Sequence, residues 1–215
     1  MRLRDQLIVA VVLGAATYVS LLRIAEAKNE AAVGGDVYAL DARHPAELQA
    51  FARLRTQIAR MGDPSLADRL ETLRAAKEIW VAPRLGPERW AVFAQTGPLV
   101  RRVYIRGEAL LDPVAHLYAG ARADIPIAYR QAHAWIGLAG TLRHEVAHRD
   151  GVKAEAAAYA IELDWYESVR RSPFLDGLSE EERRAWTWGL ESAVLSARKA
   201  RDTVAGISAA APSGP

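Results

Sequence analysis

The stretch TLRHEVAHRD, residues 141–150, holds two histidines four positions apart, with a glutamate directly after the first. Residues four apart on an α-helix differ by about 40° around the axis and about 6 Å along it, so the imidazoles of His144 and His148 can converge on one ion. Glu145 lies about 100° further round and is poorly placed as a third ligand, but it can reach a water molecule bound to that ion. The stretch therefore predicts a helix that carries a zinc site and its own base.

The flanking sequence has the pattern of an amphipathic helix. We expect it to begin between Ile127 and Ala134 and to end at Arg149 or Asp150, just before Gly151. One face is apolar, and a second face combines small and polar side chains, so both histidines lie on an open face. The apolar face consists of Trp135, Leu138, Leu142 and Val146, and the open face of Gly137, Thr141, His144 and His148. The alternative is a helix without metal, whose buried histidines would need other hydrogen-bond partners.

A third ligand must come from outside the pentapeptide, because a hydrolytic zinc ion usually has three protein ligands and one open position for water. After Gly151, residues 152–171 resume a helical pattern, and the glycine allows a sharp turn between the two helices. Glu155 lies in the first turn of this second helix and precedes three alanines, as close packing of two helices around an ion requires. A favourable acid at a helix N-terminus is the alternative interpretation of Glu155. The other ligand candidates are Glu162, then Asp150 and Asp164.

The motif HEVAH, residues 144–148, followed by EAAAY, residues 155–159, resembles the gluzincin branch of the zincin peptidases. The resemblance implies that His144, His148 and Glu155 bind a catalytic zinc ion and that Glu145 is the general base. It also implies an α+β, zincin-like fold, in which a small sheet packs on the motif helix and on the glutamate-bearing helix that follows. Only six residues separate His148 from Glu155, fewer than in the larger gluzincins, which suggests a minimal version of the fold.

Three segments before the motif helix are short, rich in β-branched and aromatic residues, and separated by Pro and Gly, which predicts a small antiparallel sheet. They are EIWVAP (78–83), RWAVFAQT (89–96) and LVRRVYIRGEALL (99–111). In the last segment Val103 and Ile105 alternate with Arg102, Tyr104 and Arg106, so we expect one buried face, one exposed face and a place at the sheet edge. The gluzincin resemblance implies that such an edge strand pairs with an extended peptide substrate.

Helical patterns also precede the sheet and close the chain. Two helices are predicted over residues 45–61 and 64–77, each with a proline in its first turn. A C-terminal helix begins with a capping box formed by Ser179 and Glu182. The connecting segment 114–131 has no assignable pattern.

Other histidines and tyrosines are weaker candidates for a role. His133 lies eleven residues before His144, about 16 Å away along a continuous helix, which is too far to bind the same ion. We expect His133 to be a capping or surface residue. The donor to a developing oxyanion stays open among His116, Tyr118, Tyr129 and Tyr159, each of which is more often a packed or solvent-facing group.

The N-terminal segment predicts a membrane location. Residues 6–22 carry no charge and would reach about 26 Å as a helix, close to the thickness of a hydrocarbon core. Arg2 and Arg4 precede this stretch, so we expect a single-pass anchor with a cytoplasmic N-terminus and an extracytoplasmic, periplasmic-type domain. A signal peptide cleaved after AEA, residues 25–27, and a buried soluble helix are the alternatives. The predicted organisation is an anchor or signal (1–27), a linker (28–40), one metallopeptidase domain (41–205) and a disordered tail (206–215).

Composition restricts the chemistry. The chain has 215 residues, a formal charge of only +2 and no cysteine, so no nucleic-acid surface is indicated and any metal must be held by histidine and carboxylate. The sequence thus predicts a membrane-anchored Zn²⁺-dependent metallopeptidase that cleaves a peptide or protein substrate, with Glu145 as general base. The alternatives are a non-catalytic envelope protein that binds zinc or a protein partner and a zinc hydrolase that acts on other bonds.

Overall fold

The computed structural model describes residues 3–86, 89–96, 100–119 and 124–210. Within these ranges the predicted α+β class is confirmed, with four short strands and eight α-helices. The strands are β1 (Tyr38–Ala39), β2 (Ile79–Val81), β3 (Ala91–Thr96) and β4 (Val100–Ile105). The helices are α1 (Leu3–Ala32), α2 (Pro45–Arg60), α3 (Pro64–Ala75), α4 (Gly107–Leu111), α5 (Pro113–Leu117), α6 (Ile127–Arg149), α7 (Glu155–Arg170) and α8 (Glu180–Ala210).

The sheet is mixed rather than antiparallel, so that part of the prediction is wrong. The strand order is β1-β2-β4-β3, in which β3 and β4 form an antiparallel hairpin and β2 runs parallel to β4. The reason is a crossover connection. After β2 the chain continues to the far edge of the sheet, where it forms β3, and then turns back to form β4 between β2 and β3. As a result, β2 and β4 point the same way. This order places β4 inside the sheet and β3 at its edge, whereas we expected the segment containing β4 at the edge.

Both faces of β4 are buried, which also corrects the expected exposed face. Tyr104 is fully buried and Arg102 is 9% exposed, because the last turns of α1 pack over this side of the sheet. Asn29 of α1 donates its side-chain amide to the carbonyl of Ala94 at 3.2 Å. Glu26 of α1 forms an ion pair with Arg102 at 2.6 Å. The N-terminal helix is therefore part of the second layer of the fold.

The opposite face of the sheet packs on α6, which lies between the sheet and the helices α7 and α8. The predicted apolar stripe forms this contact, and Leu138, Leu142 and Val146 are fully buried. The two helices predicted before the sheet are confirmed as α2 and α3, and the side chain of Asp63 caps α3 by accepting from the Leu66 N–H. The capping box of α8 is also confirmed, since the Ser179 N–H donates to Glu182 at 3.0 Å.

Several segment boundaries differ from the expectation. Residues 28–32 continue α1 instead of starting a linker, and the chain turns only after them, where Gly34 has a φ of 89°. Part of the unassigned segment forms α5. The expected disordered tail is helical up to Ala210, and residues 211–215 lie outside the described residues.

Among the helices of the described residues, none combines the length and the mean hydropathy needed for a membrane span. The membrane location stays a prediction from the sequence of residues 6–22.

Candidate metal centre

The last turns of α6 and the first residue of α7 bring three ligand atoms together. His144 Nε2 lies 3.1 Å from His148 Nε2 and 3.1 Å from Glu155 Oε2. The distance from His148 Nε2 to Glu155 Oε1 is 3.3 Å. His144, His148 and Glu155 are thus the group of side chains, among the described residues, whose ligand atoms are close enough to hold one metal ion.

The turn between α6 and α7 explains how Glu155 reaches the histidines. Gly151 has a φ of 113°, a conformation that favours glycine, and lets the chain reverse after α6. Glu155 is then the first residue of α7. The acidic alternatives lie elsewhere: Asp150 pairs with Arg69, and Asp164 lines a separate cavity beside Arg143.

The donor geometry suits a tetrahedral zinc ion. Bonds of about 2.0–2.1 Å at tetrahedral angles put neighbouring donor atoms about 3.3 Å apart, close to the observed separations of 3.1 to 3.3 Å. The Nδ1 of His148 lies 2.7 Å from the carbonyl oxygen of Val152, which can accept but cannot donate. Nδ1 of His148 must therefore carry the proton, so that the lone pair of Nε2 faces Glu155 and His144.

Glu162, the second-choice ligand, lies behind His144 rather than beside the three donor atoms. Its Oε2 is 3.3 Å from Nδ1 of His144, although the two atoms are not aligned as a hydrogen bond. Its Oε1 accepts a hydrogen bond of 2.7 Å from the buried hydroxyl of Tyr166. Burial alone would lower the pKa of His144, but the carboxylates of Glu162, Glu145 and Glu155 outweigh it and raise that pKa. Glu162 therefore suits the role of a carboxylate that orients a metal-binding histidine.

Glu145 contacts the edge strand of the sheet and does not belong to the group of ligand atoms. Its Oε2 accepts a hydrogen bond of 2.6 Å from the backbone N–H of Phe93 in β3. Burial raises the pKa of Glu145, while the charges of His144 and His148 and the Phe93 N–H act in the opposite direction. Sequence reasoning missed Phe93, because a backbone donor leaves no trace in the residue type.

A cavity of about 340 Å³ opens beside these residues and runs along the small and polar face of α6. Gly137, Thr141 and His144 line it, as the helical pattern predicted for this face. The ring of Tyr159 also lines the cavity and packs edge-on against His144, with 4.4 Å between the ring centroids. The sequence did not predict this cavity as a specificity pocket. The wall opposite α6 comes from segments distant in the sequence, including Trp90 and α8.

His133 lies at the other end of this cavity and is half-buried, so the expectation of a capping or surface residue is wrong. Its Nδ1 is 2.8 Å from the hydroxyl of Tyr118, and its ring packs edge-on against Trp188. Burial lowers the pKa of His133. Of the other oxyanion-donor candidates, His116 packs on Trp90 and Tyr129 on Trp188.

Comparison of the chain with protein-family models, curated proteins and solved structures found no match. The resemblance to the gluzincins therefore remains that of the motif and its spacing, and the zincin fold stays a prediction.

Proposed function

We propose that this protein is a zinc-dependent peptidase. The observation that supports the proposal is the convergence of His144, His148 and Glu155 within tetrahedral donor distances, with Glu145 beside them at the mouth of a cavity. When bound, a zinc ion supplies Lewis acidity, which acidifies a water molecule and polarises a carbonyl group. The three side chains would hold the ion, and the carboxylate of Glu162, 3.3 Å from Nδ1 of His144, would orient that ring.

In the proposed reaction, Glu145 transfers the protons. Its Oε2 is held by the Phe93 N–H, so Oε1 is the atom that takes the proton from the attacking water. Burial raises the pKa of this carboxyl group, which brings it closer to neutrality, where a group can both accept a proton and return it. Glu145 then hands the proton to the leaving amine.

The exposed edge of β3 suits the binding of an extended peptide. β3 ends the strand order, and one of its N–H groups reaches Glu145, so this edge runs past the site. An extended chain can add to such an edge through main-chain hydrogen bonds, which tolerate many side chains. The strand in this role is β3, and not the segment containing β4 that we first expected.

The alternative is a non-catalytic protein that uses the same scaffold to bind zinc or a protein partner. The contact between Glu145 and Phe93 favours this alternative, because a half-buried carboxylate that satisfies a strand N–H can be purely structural.

Replacement of Glu145 by glutamine separates the two functions. The glutamine keeps an oxygen that can accept from the Phe93 N–H but cannot take a proton from water. For a peptidase, we expect Glu145→Gln to retain about one equivalent of zinc and to lose at least about a hundredfold in peptide cleavage. Zinc is measured by elemental analysis and cleavage on a mixture of quenched peptides. Zinc binding without peptide cleavage by the parent chain would contradict the proposal and favour a binding protein or another zinc hydrolase.

A further inference from the structure

The cavity beside the candidate metal centre has a defined length and direction. It follows α6 from His144 back to His133, eleven residues or about 16 Å along the helix. Its volume of about 340 Å³ lies at the lower end of the range for ligand pockets. Glu145 lines one end of the cavity, and His133 lines the other end.

The cavity exists because small residues line two facing helices. On α6, Gly137 leaves room for the indole of Trp90, which would lie 3.3 Å from a Cβ atom at that position. On α8, the facing residues are Ala193 and Ala197. A glycine inside a helix weakens the helix relative to alanine, so Gly137 is costly to the helix but makes room for Trp90, which lines the cavity.

The chemistry of the walls restricts what can enter. The indole of Trp90 and the alanines of α8 form apolar surface, and among the described lining residues there is no lysine or arginine. The carboxylates at the mouth, Glu145 and Glu162, already have hydrogen-bond partners in Phe93 and Tyr166. An anionic group would meet two carboxylates and no arginine or lysine side chain, so its burial would be uncompensated.

We propose that this cavity selects a bulky side chain without negative charge, aromatic or long aliphatic, next to the bond that is cleaved. The proposal depends on the function proposed above, because it treats the cavity as the substrate pocket of that site. His133, whose Nδ1 is 2.8 Å from the hydroxyl of Tyr118, lines the far end of the pocket. Small side chains leave the pocket unfilled, and acidic side chains are rejected.

The test uses hydroxamic acids, which bind zinc and can carry different side groups. The full-length, zinc-loaded protein is titrated calorimetrically with three hydroxamates that bear a methyl, a benzyl or a carboxymethyl group. We expect the benzyl compound to bind at least about tenfold more tightly than the methyl compound, and the carboxymethyl compound to bind most weakly. Equal affinities for all three compounds, or no binding of any of them, would overturn the proposal.

Gly137→Leu fills the pocket and supplies the decisive variant. We expect it to abolish the advantage of the benzyl compound while zinc content and the affinity for the methyl compound stay unchanged. Gly206→Leu is the matched control, since Gly206 also lies in a helix but an added Cβ atom there has no neighbour within 4 Å. Should Gly137→Leu fail to fold, Ala200→Leu fills the same cavity from the half-buried side of α8. A benzyl preference that survives in the filled pocket refutes the proposal.

Peptide cleavage by the same samples separates this proposal from the proposed function. Cleavage without preference for bulky residues that lack negative charge overturns the pocket and leaves the peptidase intact. A benzyl preference without cleavage of any peptide supports the pocket and overturns the peptidase.

Discussion

Replacing Gly140 by alanine tests how the close approach of α6 and α7 supports the metal centre. A Cβ atom at Gly140 would lie 2.5 Å from Cζ of Tyr166, whose hydroxyl is even closer. Tyr166 is 2% exposed and donates to Glu162, so its ring has no space in which to turn away. The helices must separate, or Tyr166 must release Glu162.

The expected change in the free energy of unfolding of Gly140→Ala follows from two opposing effects. Overpacking a buried site costs about 1–3 kcal/mol, and here the cost falls at the upper end because the obstacle is a buried ring. Alanine returns about 1 kcal/mol of helix propensity, which leaves a net loss of about 2 kcal/mol. For a chain of this size, that corresponds to a melting temperature lowered by about 4–8 °C. Loss of the support that Glu162 gives to His144 lowers zinc affinity by about 10- to 100-fold.

The assay combines thermal unfolding in a chelator with a competitive zinc titration. Gly206→Ala is the control, because an added Cβ atom meets no neighbour there, and we expect it to leave zinc affinity unchanged. Tyr166→Phe isolates the hydrogen bond to Glu162, so it should weaken zinc binding without separating the helices. A Gly140→Ala protein as stable as the parent, with the same zinc affinity, would refute the reasoning.

The remaining predictions concern the ligands, the base, the N-terminal helix and a buried histidine. His148→Ala should abolish the zinc that elemental analysis finds in the parent chain. Phe93→Pro removes the N–H that holds Glu145 and should lower kcat with little change in KM or zinc content, whereas Phe93→Ala, which keeps the N–H, should retain most of kcat. Asn29→Ala should cost about 1–3 kcal/mol in chemical unfolding, because this side chain is 2% exposed and bonded to the sheet edge. The pKa of His133 is lowered below its usual 6.5 in the folded state, so in a chelator unfolding takes up a proton and stability falls as the pH drops below about 6.5. His133→Gln should flatten this part of the pH profile, and an unchanged slope would contradict the burial argument.

The helices were predictable because their periodicity is local. The apolar stripe of α6 depends on residues three and four apart, and the structure buries Leu138, Leu142 and Val146 as that pattern requires. The surroundings of β4 were not predictable in the same way. Arg102 and Tyr104 have the composition of an exposed face, but Glu26 neutralises the guanidinium and the ring of Trp80 packs against it at 3.7 Å. These partners are far away in the sequence, so the strand itself carries no sign of them.

The candidate site also has a part that local sequence spacing predicted and a part that depends on distant contacts. The spacing of His144, His148 and Glu155 was sufficient to expect their ligand atoms together, because a helix and one glycine turn determine the geometry. The role of Glu162 depends on side-chain rotamers and on the hydroxyl of Tyr166, which spacing alone does not determine. The pocket needs Trp90 and the small residues of α8 to line the same space as Gly137 of α6, and such a meeting of distant segments has no signature in the sequence.

The packing of α1 on the sheet has a consequence for proteolytic processing. A cut after Ala27 would remove Ala25, which is 5% exposed, and the carboxylate that neutralises Arg102, and it would leave Asn29 at a frayed chain end. The guanidinium of Arg102, which lies over the ring of Trp80, would then keep only the more distant carboxylate of Glu30, 4.0 Å away. Such a cut would not leave an intact domain, because the trimmed product would lose part of its own scaffold.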